Sequence, residues 1–268
     1  MKGPAVRMRE GPGAFAVLVA FSLLLGCSRA KVERVEWTVM GTVAAVQTRG
    51  AKPEETAAAV AAVKSEFAKV ERLLNAHDPD SELCRLAPLT DGEILGRCDP
   101  EMKPCYELAF AGRETTKGAF DPRWRGKGTL DLGAVAKGFA VDLAAARVPP
   151  GGFDVRLDLG GNLRAVRGSW RAGIAASGES FVLGEGRSCA TSAEYYRGKH
   201  IFDGRTGLPV SNDVASVTVV AREAMWADML STTAFVFGPE EGVRYLDGRQ
   251  AVSALWILRD GRRISFGE

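Results

Sequence analysis

Apolar and polar positions along the chain change their period several times, and those changes predict its elements. Between Val35 and Thr48, β-branched and aromatic residues alternate with polar ones, the pattern of a strand or hairpin arm. Pro53-Glu54-Glu55 supplies a helix start. Val60, Val63, Phe67, Val70 and Leu74 then recur at steps of three and four, lining one helix face with apolar side chains. A polar turn, His77-Asp78-Pro79-Asp80-Ser81, follows Asn75. A second helix is predicted from about 101 to 116, ended by Gly118, and a third from 134 to 145. The second half predicts strands near 154–159, 170–176, 215–221, 252–258 and 263–267, with helices over 223–236 and 239–246. Strands and helices mix without strict βαβ alternation. The fold class is therefore α+β, with largely antiparallel sheets packed with helices, rather than a doubly wound sheet.

Charge changes the reading of the N-terminus. The 268 residues hold 35 Lys and Arg against 33 Asp and Glu. Residues 1–26 carry three of the bases and one acid, so the remainder balances at 32 of each. A neutral body gives no electrostatic case for nucleic-acid binding. The basic start precedes Ala14 to Leu25, an uncharged run too short for a stable span of a ~30 Å bilayer but suited to a signal-peptide core. Its end, Leu24-Leu25-Gly26-Cys27-Ser28, resembles the lipobox of bacterial lipoproteins. The resemblance implies a signal peptide over 1–26 and acylation of Cys27. A membrane anchor and a cell-envelope location, facing the periplasm or exterior, would follow. Residues 27–268 then form a single domain. In that oxidising setting Cys84, Cys98, Cys105 and Cys189 allow one or two disulfides, with Cys98–Cys105 the closest pair in sequence. With only His77 and His200 in the chain, a multi-histidine metal site is excluded.

Four segments stand out: Gly118 to Pro122, Asp131 to Gly138 and His200 to Gly207 join glycines to carboxylates or hydroxyls, and Ala227 to Thr232 joins a carboxylate to hydroxyls. In the second, Gly133 allows a tight turn before a helix start, and Lys137 projects one turn further on. In the fourth, Asp228, Ser231 and Thr232 stand at i, i+3 and i+4, one helix face. A carboxylate with hydroxyls one turn later suits a hard cation such as Mg²⁺, which takes oxygen ligands and shares them with phosphates.

In order and spacing, these segments resemble the ApbE family of FAD:protein FMN transferases. Trp37 to Thr42, Asp80 to Leu86, Phe120-Asp121-Pro122, the Asp131–Gly138 run with Asp142 beyond it, and Asp158-Leu159-Gly160-Gly161-Asn162 carry the likeness. Ala190-Thr191-Ser192, the 200–209 segment and Ala227 to Thr232 complete it. The resemblance implies an ApbE-like (T-fold-like) architecture. It also implies an Mg²⁺-dependent enzyme that takes FAD as substrate, attaches FMN to a threonine of an exported acceptor protein and releases AMP. FAD hydrolysis to FMN and AMP, or flavin binding without catalysis, are the alternatives.

Carried over by position, Met40, Ala119, Phe120, Asp121, Asp131, Lys137 and Phe202 match flavin-contacting residues. The Ala134 carbonyl, Asp228 and Thr232 match the metal ligands, with Ser231 adjacent, and His200 matches the base. Three departures change expectations. His77 stands where relatives place an aromatic that stacks on the flavin, which predicts a weaker grip. Gly204 replaces a proline, which predicts a looser turn. Only nine residues separate Asp121 from Asp131, a much shorter loop than usual, which predicts a more open pocket or one completed by the acceptor.

Overall fold

The computed structural model describes residues 31–174, 176–194, 198 and 200–267. The signal segment expected over residues 1–26 and Cys27 lie outside them. The chain opens with the hairpin β1 (Val32–Val39) and β2 (Thr42–Arg49), then α1 (Pro53–Leu74) and two short helices, α2 (Glu82–Leu86) and α3 (Asp91–Arg97). Next come α4 (Lys103–Thr115), α5 (Ala136–Arg147), β3 (Asp154–Leu159), β4 (Asn162–Arg167), β5 (Trp170–Ile174) and β6 (Glu179–Leu183). The remainder is β7 (Ser188–Ala193), the short pair β8 (Phe202–Asp203) and β9 (Leu208–Pro209), β10 (Val214–Ala221), α6 (Ala224–Leu246), β11 (Ala251–Leu258) and β12 (Arg263–Gly267).

Eight strands form one sheet in the order β1-β2-β3-β4-β7-β10-β11-β12, antiparallel at every step. The predicted α+β class holds. Both hairpins that face the site have two-residue turns with positive φ throughout: Met40 and Gly41 at 51° and 64°, Gly160 and Gly161 at 60° and 91°. That geometry matches the twist of the flanking strands. Gly160 is also sterically fixed, because a Cβ there would stand 2.6 Å from Thr42 Oγ1.

Helices α1, α5 and α6 pack together on one face of the sheet. The predicted α1 stripe is buried at every position, and the core runs from it through Phe139 and Phe235 to Trp256. On the opposite face the β5–β6 ribbon closes a smaller cluster of Leu163, Ala165, Trp170, Ala172, Leu183 and Cys189. The predicted helices 223–236 and 239–246 are one run broken at Gly238, whose φ of 71° and the following Pro239 produce the kink.

The disulfide expectation is corrected. Cys84, Cys98, Cys105 and Cys189 are free thiols. Cys98 ends α3, whereas Cys105 lies within α4 and faces the core. Burial raises the Cys98 and Cys105 thiols and pushes Cys189 up to about 12, which keeps them protonated and unreactive. No helix among the described residues is long and apolar enough to cross a membrane.

Candidate active site

The site is a cavity of about 1190 Å³ where the two glycine hairpin turns, the end of α1, the segment before α5 and the first turns of α6 meet. Met40, His77, Ala119, Phe120, Asp121, Asp131, Ala134, Lys137, His200, Phe202, Asp228 and Thr232 all line it. Ser231 stands apart. It is fully buried, donates to the Asp228 carbonyl at 3.0 Å and meets Ser192 Oγ at 2.9 Å, so it braces α6 against β7.

Asp228 is buried, one turn into α6. Its Oδ2 accepts from Gly138 N at 3.0 Å and lies 3.8 Å from Lys137 Nζ. Burial raises its pKa; Lys137, the Gly138 amide and the Asn162 side chain oppose that rise. Lys137 also donates to the Gly133 carbonyl, and Asp131 Oδ1 accepts from Gly133 N at 2.9 Å. The turn is thus held from both ends. Thr232 Oγ1 is 3.1 Å from Ser192 Oγ on the neighbouring strand.

Asp228, Thr232 and Ala134 line this cavity together and offer oxygen donors: one carboxylate, a hydroxyl and a backbone carbonyl. Asn162 Oδ1 is buried there without a partner. Such a set fits a hard cation that completes its shell with phosphate oxygens. Among the described residues no three His, Cys, Asp or Glu converge into a self-sufficient metal cage.

His200 is exposed and lines the same cavity. Its Nδ1 lies 2.8 Å from the Gly198 carbonyl. A carbonyl only accepts, so Nδ1 is the protonated nitrogen of this contact, and in the neutral ring Nε2 is the one left to accept. Beyond it the β8–β9 turn is closed by Gly207 N donating to Asp203 O at 2.8 Å, and Arg205 pairs with Asp203 within the turn. The expected looseness at Gly204 is not found. Its N–H donates to Ala119 O at 3.1 Å, and a Cβ would meet Gly118 O at 2.4 Å. This contact ties the His200 turn to the Ala119–Asp121 wall.

The short segment after Asp121 is ordered by its own contacts. Arg123 anchors it, donating to Ala87 O and Leu89 O at 2.8 Å each and to Asp91 Oδ1 at 3.0 Å. The next two residues, Trp124 and Arg125, line the cavity. They were missed in the sequence, although a lone tryptophan in a glycine-rich polar loop is itself a signal. Glu71 was missed as well; its carboxylate accepts from Met40 N at 2.7 Å and supports the positive φ there. Helical periodicity assigns Glu71 only to a polar face.

The antiparallel sheet, the helical layer on one face and the glycine-walled cavity define an α+β protein with a large cavity near the sheet's hairpin turns. The ApbE family profile matches residues 40–126 and 123–256. The chain belongs to the ApbE family. A protein of Klebsiella pneumoniae (strain 342) named FAD:protein FMN transferase is 32% identical over 146 residues, 49% of this chain and 46% of its own length. One of the same name from Treponema pallidum is 35% identical over 161 residues, 50% of this chain and 44% of its own. The matched stretches thus span under half of these relatives. The fold matches the Pseudomonas stutzeri flavinyl transferase ApbE in its apo form with a TM-score of 0.74, covering 90% of this chain and 96% of that one at 19% identity. The ApbE protein of Thermotoga maritima gives 0.72 at 20% identity, over 88% and 97%.

Proposed function

We propose that this protein transfers FMN from FAD to a threonine hydroxyl of an exported partner protein, with Mg²⁺ at the Asp228–Thr232 end of the cavity. The observation that carries the reading is the convergence on one cavity of the His200 imidazole, oriented by the Gly198 carbonyl, and the Asp228 carboxylate with the Thr232 hydroxyl. Relatives named FAD:protein FMN transferase support it. The volume exceeds the ~300–1,000 Å³ of ordinary small-molecule sites, which suits a dinucleotide together with an approaching acceptor side chain. The lipobox-like sequence at Cys27 supports a lipid anchor at the cell envelope.

A threonine hydroxyl is a poor nucleophile at neutral pH. His200 Nε2 accepts its proton as the oxygen bonds to the FMN-side phosphorus; the bond from that phosphorus to the bridging oxygen breaks, and AMP departs with the bridging oxygen. Bound Mg²⁺ would neutralise pyrophosphate charge. Lys137 Nζ, 3.8 Å from Asp228 Oδ2, would add a positive charge for the substrate's phosphates, and Asp131 fixes the turn that carries Ala134. Because His200 is exposed, water can take the acceptor's place, and FAD hydrolysis is the competing outcome.

The test is AMP release from FAD with and without Mg²⁺. EDTA is expected to stop release and Mg²⁺ to restore it in wild type but not in Asp228→Ala, with both proteins folded by circular dichroism. Metal-independent release, or full activity in Asp228→Ala, contradicts the assignment.

A further inference from the structure

The cavity wall beside His200 carries an aromatic stack that comes from the short loop. The rings of Trp124 and Phe202 lie 3.9 Å apart, 14° from parallel, and both border the cavity. The Arg125 guanidinium sits 4.7 Å from the Trp124 centroid and, with Phe202 covering one face, occupies the other. His77, exposed at the mouth, is a smaller and more polar platform than this indole.

Trp124 is held where it is. Arg123, the residue before it, is bonded to the backbone oxygens of Ala87, Leu89 and Thr129 and to the Asp91 carboxylate, and Trp124 N donates to Asp121 O at 3.2 Å. Gly126, at φ 109°, then turns the chain back so that Asp131 N reaches Pro122 O at 2.8 Å. Arg125 is held far less firmly. It is 43% exposed, and its ion pair with Asp131 Oδ2, at 3.2 Å, is of the surface kind that contributes little. A planar cation lying over an indole, tethered by one weak contact, is easily replaced by a planar heteroaromatic ring, for which stacking on tryptophan is stronger.

We propose that Trp124 is a substrate-binding residue of this protein: a planar ring of the ligand displaces Arg125 and stacks on the indole, backed by Phe202. The proposal rests on FAD being the substrate, and it assigns to the short loop the aromatic grip that His77 does not supply. Either the isoalloxazine or the adenine ring has the required chemistry.

The experiment measures the dissociation constant of FAD, and of the uncharged probes riboflavin and adenosine, for wild type, Trp124→Ala, Trp124→Phe and Arg125→Ala. Flavin binding is followed by fluorescence and adenosine binding by calorimetry. Trp124→Ala is expected to weaken FAD about tenfold. Trp124→Phe should stay within about threefold of wild type, because a phenyl ring preserves a stacking face. Arg125→Ala should bind no more weakly than wild type. Parallel weakening of riboflavin assigns the isoalloxazine to Trp124, and of adenosine the adenine; both support the proposal. Unchanged FAD affinity in a folded Trp124→Ala, or an equal loss in Arg125→Ala, overturns it. Wild type that fails to bind FAD at all would instead overturn the transferase reading on which it rests.

Discussion

His200 and Asp228 divide the proposed chemistry between an exposed group and a buried one. The imidazole needs only a fixed tautomer, and one hydrogen bond to the Gly198 carbonyl supplies it. His200→Ala is therefore expected to lower the transfer rate by about 10²–10⁴ while leaving FAD affinity unchanged; single-turnover kinetics at saturating FAD would show this. An unchanged rate would remove His200 from the base role. Gly204 makes a different demand, because its Cα faces backbone. Gly204→Ala would push Gly118 O and Asp121 aside and is expected to destabilise the protein by about 1–3 kcal/mol in urea denaturation. The motif residues were legible because each is a distinctive side chain at a distinctive spacing. Trp124 and Glu71 were less so: one lies in an aperiodic loop, and the other reads as an ordinary solvated helix position. Gly204 was misread, since a glycine's sequence neighbours do not reveal what presses on its Cα.

The helices α5 and α6 act as one device. Gly138 lies so close to α6 that a Cβ would stand 2.3 Å from Ala224 O, and the same residue's N–H binds Asp228. Gly138→Ala must therefore part the helices. It is expected to lower stability by about 1–3 kcal/mol and to reduce AMP release in the fraction that remains folded. Asp142 on α5 accepts from the first amides of α6, Ala224 N and Met225 N, at 2.9 Å each, and pairs with Arg164 at 2.7 Å. Burial nevertheless raises its pKa from 3.8 to about 6, the two amides and Arg164 offsetting only part of the cost. A raised carboxyl pKa means that the folded state binds more protons between those values. Stability then falls as pH rises from about 4 to about 6.5, by on the order of 3 kcal/mol from this group. Asp142→Asn cannot titrate, so its unfolding free energy should decline less over that range; parallel curves for the two proteins would contradict the assignment.

Long periodic elements such as α1 were legible with nearly correct bounds, whereas β7 was not recognised as a strand. Its sequence, Ser188-Cys189-Ala190-Thr191-Ser192-Ala193, lacks the bulky β-branched residues that mark buried strands. The structure gives the reason. β7 runs under α6, where Ala190, Ala221 and Ala227 pack at close approach, and larger side chains would lift the helix carrying Asp228. The helices α2 and α3, at five and seven residues, are too short to show a period.

At the scale of the whole molecule, the antiparallel sheet is a rigid frame that delivers two hairpin turns and a central strand to one cavity. Fold class and most of the site's lining were legible because the motifs sit at those turns and at helix starts, where local chemistry dictates the backbone. The shape of the short loop was not, since its closure depends on Arg123 reaching Ala87, Leu89 and Asp91, over 30 residues away in sequence. Outside residues 1–26 the charges balance, so the proposed acceptor protein would be recognised by local features around the cavity mouth rather than by a general field. The most direct test of the account is the ratio of AMP released to flavin covalently bound, measured in one reaction of the protein with FAD, Mg²⁺ and a threonine-containing acceptor. A ratio near one, with the flavin lost when the acceptor threonine is replaced by alanine, is the predicted result. AMP accumulating with no acceptor-bound flavin, or FAD remaining intact, would contradict it.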